Sequence, residues 1–333
     1  MRPKTLLLVA ATVAIALPGT VLASTPGHNG LISFRRYLNA DHSNGALFTI
    51  NPDGTHERQI TFPAADTLDN NQNWSPDGTK LVFERDTPAT AQLYTVNADG
   101  SNLHLVFPCP GDDSCLGAAN PSWSPDGRWI AFQLALGPVV NDWAADVSVW
   151  EVHPDGTGLR QVTHASRDGY EDNDPNWSPD GSRLVIQRNT HTDRYRPTIW
   201  AVDSNDGGHP VRVSPVGVNA SDHPDWSPDG QWIVFRTDNG VPGSAKVFLA
   251  HQDGSGLHVI LDGSNTRQFL SYSFSPDGTK LLIGMTPGSG PEGNADVYIA
   301  SLDANARVSG IVALTQTDAW DSSPRWGVGA ANR

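Results

Sequence analysis

Short apolar bursts alternate with Pro- and Gly-rich turns along nearly the whole chain. Residues 74–107 show one unit. Trp74 ends a first burst, Lys80–Glu84 (KLVFE) forms a second, Gln92–Val96 (QLYTV) a third and Leu103–Phe107 (LHLVF) a fourth. Each has strand length and is rich in Val, Leu and aromatic residues. The second burst is apolar on both faces, as a strand sandwiched between neighbouring sheets requires. Ser-Pro-Asp-Gly joins the first two bursts: Pro presets its backbone angle, Asp bonds back to the main chain and Gly takes the positive φ. A second Asp-Gly turn joins the last two, as at Asn51–Gly54, Asn97–Gly100, His153–Gly156 and His251–Gly254. Asp-Gly between apolar runs is a strong hairpin signal.

The unit repeats. WSPDGTKLVF (74–83) returns as WSPDGRWIAF (123–132), WSPDGSRLVI (177–186), WSPDGQWIVF (226–235) and FSPDGTKLLI (274–283). Trp74, Trp123, Trp177, Trp226 and Phe274 stand 49, 54, 49 and 48 residues apart, and Trp326, in a worn copy, follows 52 residues later. A period of this size marks a propeller or solenoid. Four-stranded antiparallel meanders arranged radially make a β-propeller. The N-terminal part begins with GLISF (Gly30–Phe34), which matches a second strand, and continues with Leu47–Ile50 and Arg58–Thr61. Its missing first strand is expected from Ser323–Gly327, so that the chain ends pair and close the ring, removing exposed edges. The expectation is an all-β, six-bladed propeller spanning residues 24–333.

Residues 1–23 read differently. Arg2 and Lys4 precede a run from Leu6 to Leu17 that is apolar except for Thr12, and Val21-Leu22-Ala23 precedes Ser24. This is the pattern of a secretory signal peptide cleaved before Ser24. The run is too short to span a bilayer. An exported chain in the periplasm or medium is expected, without membrane insertion. Its only two cysteines, Cys109 and Cys115, are then expected to form a disulfide. The formal charge of −14 argues against nucleic acid, which selects basic faces. It permits cationic partners or metal ions. A propeller closes on itself, so a monomer is expected.

The repeat resembles that of the TolB-like, WD-repeat-related propeller family. The family's hallmark of Leu-Thr, then Pro-x-Trp-Ser-Pro-Asp-Gly, is spelled here over Gln161–Gln187 and Arg212–Phe235. The resemblance covers nearly all of residues 30–327. It implies the six-bladed fold and an envelope or secreted protein partner. The family's namesake docks a peptidoglycan-associated lipoprotein on its propeller and carries a small α/β domain before it. Only about six residues separate Ser24 from the first strand, so that domain is expected to be absent here.

Successive strands of a meander run in opposite directions, so both Asp-Gly turns of a unit share one face. The other face carries long, varied loops, including Arg36–Gly45, Leu134–Asp146, Arg188–Pro197 and Thr286–Asp296. Varied loops on a rigid scaffold are where binding usually lives. On that face, the residues just before each inner strand form a ring around the expected channel: Asp69, Asn70 and Asn71; Asn120; Asp172, Asn173 and Asp174; Asp222 and His223; Asp321. One reading is a mouth for a sugar, a basic peptide or a divalent cation, since hard cations favour oxygen ligands. The other is that Asp and Asn shape the chain before each strand. Arg167, Tyr170 and Arg267 lie in the same connections. Five Trp residues occupy the repeat position as core packing, whereas Trp143 and Trp320 fall in variable loops and are the aromatic binding candidates.

Catalytic signals are weak. The chain has no GxSxG nucleophile elbow and no HExxH motif, which serine-peptidase and zinc-protease chemistry would need. His153 and His251 sit in uniform turns, and only His164 and His223 fall near the channel side. The function expected is a non-enzymatic binding scaffold without a resident cofactor. The alternatives are an enzyme acting on a glycan or peptide, and a metal or small-ligand binder.

Overall fold

The computed structural model describes residues 27–112, 114–139, 144, 146–164, 169–190, 193–237, 245–263, 268–286, 294–303 and 305–329, with the side chains of 193–195 and 221–222 left aside. Residues 1–23, Trp143, Arg167 and Arg267 therefore lie outside the described residues. What is described is strand and turn, with no helix among the described residues.

Four sheets have four antiparallel strands each. They are β8–β11 (Gly117–Trp123, Ile130–Leu136, Asp146–Val152, Arg160–Gln161), β12–β15 (Tyr170–Trp177, Arg183–Thr190, Asp193–Asp203, Val211–Arg212), β16–β19 (Ala220–Trp226, Ile233–Thr237, Lys246–Ala250, His258–Asp262) and β20–β23 (Gln268–Phe274, Lys280–Thr286, Asp296–Leu302, Val308–Ala313). A fifth sheet holds eight strands in the order β24-β1-β2-β4-β5-β6-β7, with β3 beside β2. Its members are β1 (Asn29–Tyr37), β2 (Gly45–Ile50), β3 (Arg58–Gln59), β4 (Leu68–Trp74), β5 (Lys80–Asp86), β6 (Ala91–Asn97), β7 (His104–Phe107) and β24 (Asp321–Val328).

This departs from six separate four-stranded sheets. The cause is local. β2 and β4 are joined through a single parallel residue pair, Gly45 with Leu68. Gly45 has no side chain, and a Cβ there would lie 2.4 Å from the Leu68 Cδ1, so a larger residue would require the Leu68 side chain to move. Elsewhere the sheet is antiparallel. The last strand pairs with the first, with Ile32 opposite Trp326 and Arg36 opposite Asp321.

The recurring residues have repeated jobs. In the first turn the Ser75 hydroxyl donates to the Asp77 carboxylate at 2.6 Å, which accepts the Thr79 N–H at 3.0 Å, and Gly78 takes φ 68°. Pro and Gly of successive turns meet: a Cβ on Gly181 (φ 73°) would sit 2.9 Å from the Pro125 ring. The Thr or Ser after four of the fourth strands (β3, β11, β15 and β23) also has one task. Thr61, Thr163, Ser214 and Thr315 accept the backbone N–H of Leu47, Val149, Ile199 and Val297 at 2.9–3.0 Å. A hydroxyl thus continues the ladder where the carbonyl partner ends, and β3, β11 and β15 need only two residues each.

The core lies between sheets. Six apolar clusters occur among the described residues, each joining successive groups of strands. Val185 and Ile199 pack with Trp226, Ile233 and Phe235, for example, and Leu282 and Val297 pack with Ile32, Phe34 and Trp326. Each repeat Trp or Phe is at most 9 % exposed, the packing role expected of them. Cys109 and Cys115 are disulfide-bonded, with Cα atoms 5.3 Å apart, and are buried beside Leu93 and Phe132. Reduction is expected to cost about 2 kcal/mol, because the closed loop is short. Guanidinium melts with and without dithiothreitol check this; an unchanged midpoint would show that the bond contributes nothing.

Candidate functional site

The six inner strands β4, β8, β12, β16, β20 and β24 bring one register to the centre. Counted back from the repeat aromatic, position −1 is Asn73, Ser122, Asn176, Asp225, Ser273 and Arg325. These side chains line a central cavity of about 90 Å³ towards the Ser-Pro-Asp-Gly face. Many of them stitch one inner strand to the next. Asn73 accepts the Trp123 N–H at 3.1 Å, Ser122 donates to Asn176 at 2.8 Å, Asn176 donates to the Pro224 carbonyl at 3.1 Å, and Asp225 accepts the Phe274 N–H at 3.4 Å. Arg325 approaches Asp225 to 3.7 Å. Burial pushes the Asp225 carboxyl up, opposed by Arg325.

Position −3 explains much of the predicted ring. Asn71, Asn120, Asp174, His223 and Ser323 all take left-handed backbone, with φ between 40° and 53°. Asn, Asp and His tolerate that region best among residues with a side chain. Each sits where the inner strand bulges out of register against its partner. A bulge turns the entering chain towards the axis.

Position −5 holds Asp69, Asp172 and Asp321, each 0 % exposed. Each carboxylate is gripped by an arginine directly across the ladder. Arg85 holds Asp69 at 2.6 and 2.8 Å, Arg188 holds Asp172 at 2.6 and 2.8 Å, and Arg36 holds Asp321 at 2.7 and 2.8 Å. Arg85 lies over Tyr94, Arg188 over Tyr170 and Trp200, and Arg36 over Phe48, at 4.7–5.4 Å. Bidentate pairing of this kind fixes geometry. These three carboxylates are thus committed within the fold.

Glu84 is the centre of the mouth between β4 and β8, and no sequence signal singled it out. Its oxygens accept the Asn71 amide at 2.8 Å, the Asn70 amide at 3.2 Å and the Asn120 backbone N–H at 2.6 Å. Asn71 also donates to Asn120 at 2.7 Å, and Arg35 donates to Asn70 and Ser322 at 2.6 Å each. Burial first, and Asp86 next, push Glu84 up to about 8, against the Asn120 N–H. Burial also raises Asp86 to about 6, opposed by Arg35.

Of the other predicted residues, His223 lies 3.9 Å from Asp174. Asp222 falls in β16 with its side chain outside the description. Trp320 is half-buried in a pocket with Tyr37 and His42, away from the axis. Among the described residues no group of three His, Cys, Asp or Glu is placed to hold a metal ion. No helix of the described residues is long and apolar enough to cross a membrane.

Comparison with known proteins agrees with this architecture. The structure matches TolB from Acinetobacter baumannii with a TM-score of 0.67 at 17 % identity, over 90 % of this chain and 67 % of that one. The fold is a TolB-like β-propeller. It matches a putative TolB from Agrobacterium tumefaciens with a TM-score of 0.59 at 19 % identity, over 89 % and 99 % of the two chains. No family model matches the sequence. An uncharacterized peptidase of Bacillus subtilis is 30 % identical over 148 residues, 36 % of this chain and 22 % of that protein. The matched stretches span a third or less of the curated relatives' own length.

Proposed function

We propose that this chain is an exported, non-enzymatic propeller that binds an envelope protein through the variable face around the channel mouth. The reading takes residues 1–23 as the signal peptide and residues 24–333 as one monomeric propeller. It takes the eight-stranded sheet as two blades bridged at Gly45, giving six blades closed by β24 on β1; the six inter-sheet clusters support this count. By likeness to TolB, a peptidoglycan-associated lipoprotein is the first partner to try.

One observation carries the choice of scaffold over enzyme. The mouth's carboxylates at Asp69, Asp172 and Asp321 are buried and held twice by arginine, and Glu84 is saturated by three N–H donors. General acid–base catalysis needs a group within reach of substrate. The second reading, an enzyme acting on a glycan or peptide, draws on Glu84 and Asp86, whose raised values are what catalytic carboxyls often have.

The test is capture from native envelope by residues 24–333, against Asp174→Asn with His223→Asn. Asparagine keeps the left-handed backbone at both positions while removing their ionisable groups. Capture by the wild type and loss of most of it by the variant is the expected result. Equal capture by both would move the docking site away from the mouth, and hydrolysis or lysis of a peptide or glycan panel would favour the enzyme.

A further inference from the structure

We propose that the pocket formed by Tyr37, His42 and Trp320 is a binding site for a neutral pyranose ring. It lies on the variable face where β1 leaves the sheet and the chain enters β24. The cavity measures about 540 Å³, within the usual range for small ligands, and its wall also includes Leu38, Asn294 and Asp318. The proposal goes beyond protein docking at the channel mouth and survives its failure, because it concerns a different pocket and is read with purified protein.

The pocket is built rather than incidental. Tyr37 and His42 stack with ring centres 4.2 Å apart and planes 10° apart, and His42 meets Trp320 edge-on at 5.1 Å. His42 holds φ 60°, an uncommon conformation that persists only when its surroundings fix it. They do. Leu38 N–H bonds the Asn44 carbonyl at 2.8 Å, Asn39 accepts the Asn44 N–H at 3.0 Å, and Asn44 donates to the Thr67 carbonyl at 3.1 Å. From the other side the Tyr37 N–H donates to the Trp320 carbonyl at 3.1 Å, and Asn294 donates to the Asp318 carbonyl at 2.5 Å. The first and last strands thus present one preformed aromatic wall.

The chemistry selects the ligand. A pyranose has apolar C–H faces and a rim of hydroxyls. Aromatic side chains offer a large, rigid apolar surface to such faces. Around them stand groups that bond hydroxyls: the exposed Asp318 carboxylate, the Asn294 amide oxygen, the His42 imidazole and the Trp320 indole N–H. That indole makes no hydrogen bond among the described residues. A cation fits less well. The Arg35 guanidinium already lies over Tyr37 at 4.4 Å and would repel a second cation; with His42 stacked on the same ring, the C–H face of the sugar falls to the Trp320 indole. An anion meets Asp318 and a chain of charge −14.

Isothermal titration and tryptophan fluorescence of the full mature chain test this, using cellotriose, maltotriose and chitotriose. Polygalacturonate fragments and lysine methyl ester serve as charged probes. At least one neutral trisaccharide is expected to bind, and Trp320→Ala and the surface change Asp318→Ala each to weaken it by about tenfold or more. Far-ultraviolet spectra and melting of both variants confirm folding; Asp318 is exposed, so its variant keeps the test valid if Trp320→Ala does not fold. No binding of any neutral probe, binding unchanged in both folded variants, or binding of the charged probes alone would overturn the proposal.

Discussion

Asp172→Ala is expected to lower the free energy of unfolding by about 3 kcal/mol, because it removes the bidentate carboxylate partner of a mostly buried arginine. Asp172 is fully buried, and Arg188 reaches both of its oxygens from the neighbouring strand while lying over Tyr170 and Trp200. Removing the carboxylate takes both of these hydrogen bonds from a mostly buried guanidinium that lies over two aromatic rings. Replacing both partners, Asp172→Leu with Arg188→Met, is expected to recover most of the loss, since an apolar pair of similar volume has no charge to solvate. Guanidinium melts of the single and double variants give the answer. A single variant within about 1 kcal/mol of wild type would place the pair among exposed salt bridges and refute the structural role. The consequence for function is direct. A partner lost on mutating Asp172, Asp69 or Asp321 would report a damaged propeller, so Asp174 and His223 are the sites at which to test docking.

That distinction was only half legible in the sequence. The period, the turns and the pairing of the two chain ends follow from spacing and turn chemistry, which are local. The mouth residues were legible as a ring because they share an offset from the repeat aromatic. Their division of labour was not, since it depends on cross-strand register. Asp69 and Arg85 stand 16 residues apart, as do Asp172 and Arg188, a recurrence that would have flagged the pair once the hairpin was assumed. Asn71, Asn120, Asp174 and His223 carry the signal for left-handed backbone, residue types that tolerate it at one repeated position. The inner ring at position −1 is chemically mixed, from Ser122 to Arg325, so no composition marks it, although its register does. Glu84 looked like the tail of an apolar strand. Its burial comes from Asn71 and Asn120, which lie on two different sheets. The fusion of two sheets at Gly45 depends on one close approach to Leu68 that no periodicity encodes.

Stability is expected to be greatest at mildly acidic pH and to fall as pH rises towards about 8. The folded chain holds Glu84 at about 8, against 4.5 for an ordinary glutamate, and Asp86 at about 6, against 3.8. Burial is the first cause for both. Between the ordinary and the raised values the native state keeps protons that the unfolded chain has released, so the free energy of unfolding declines with rising pH. Every tenfold difference in proton affinity between the folded and unfolded chains corresponds to about 1.4 kcal/mol, which makes the total loss a few kcal/mol. The two carboxyls interact, and their titration belongs to the pair. On the acid side the sign reverses. Partial burial raises Asp77, Asp180 and Asp277, but the hydroxyl and N–H donors of their turns outweigh it and hold them below the ordinary value. Their contribution is present above that ordinary value and is lost as pH falls through the lowered one. Guanidinium midpoints from about pH 2 to about pH 9 trace both limbs. Glu84→Gln is expected to be weaker at every pH, because an amide nitrogen cannot accept the donors that face it. It should also lose the decline above about pH 7, where Asp86 is mostly ionised and Glu84 alone still titrates. A wild-type midpoint that is flat over that range, or a Gln variant with the same slope, would mean that Glu84 is ionised in the folded protein. The mouth would then hold a true anion facing Arg35 and the amides, and docking of a basic partner there would have to be weighed again.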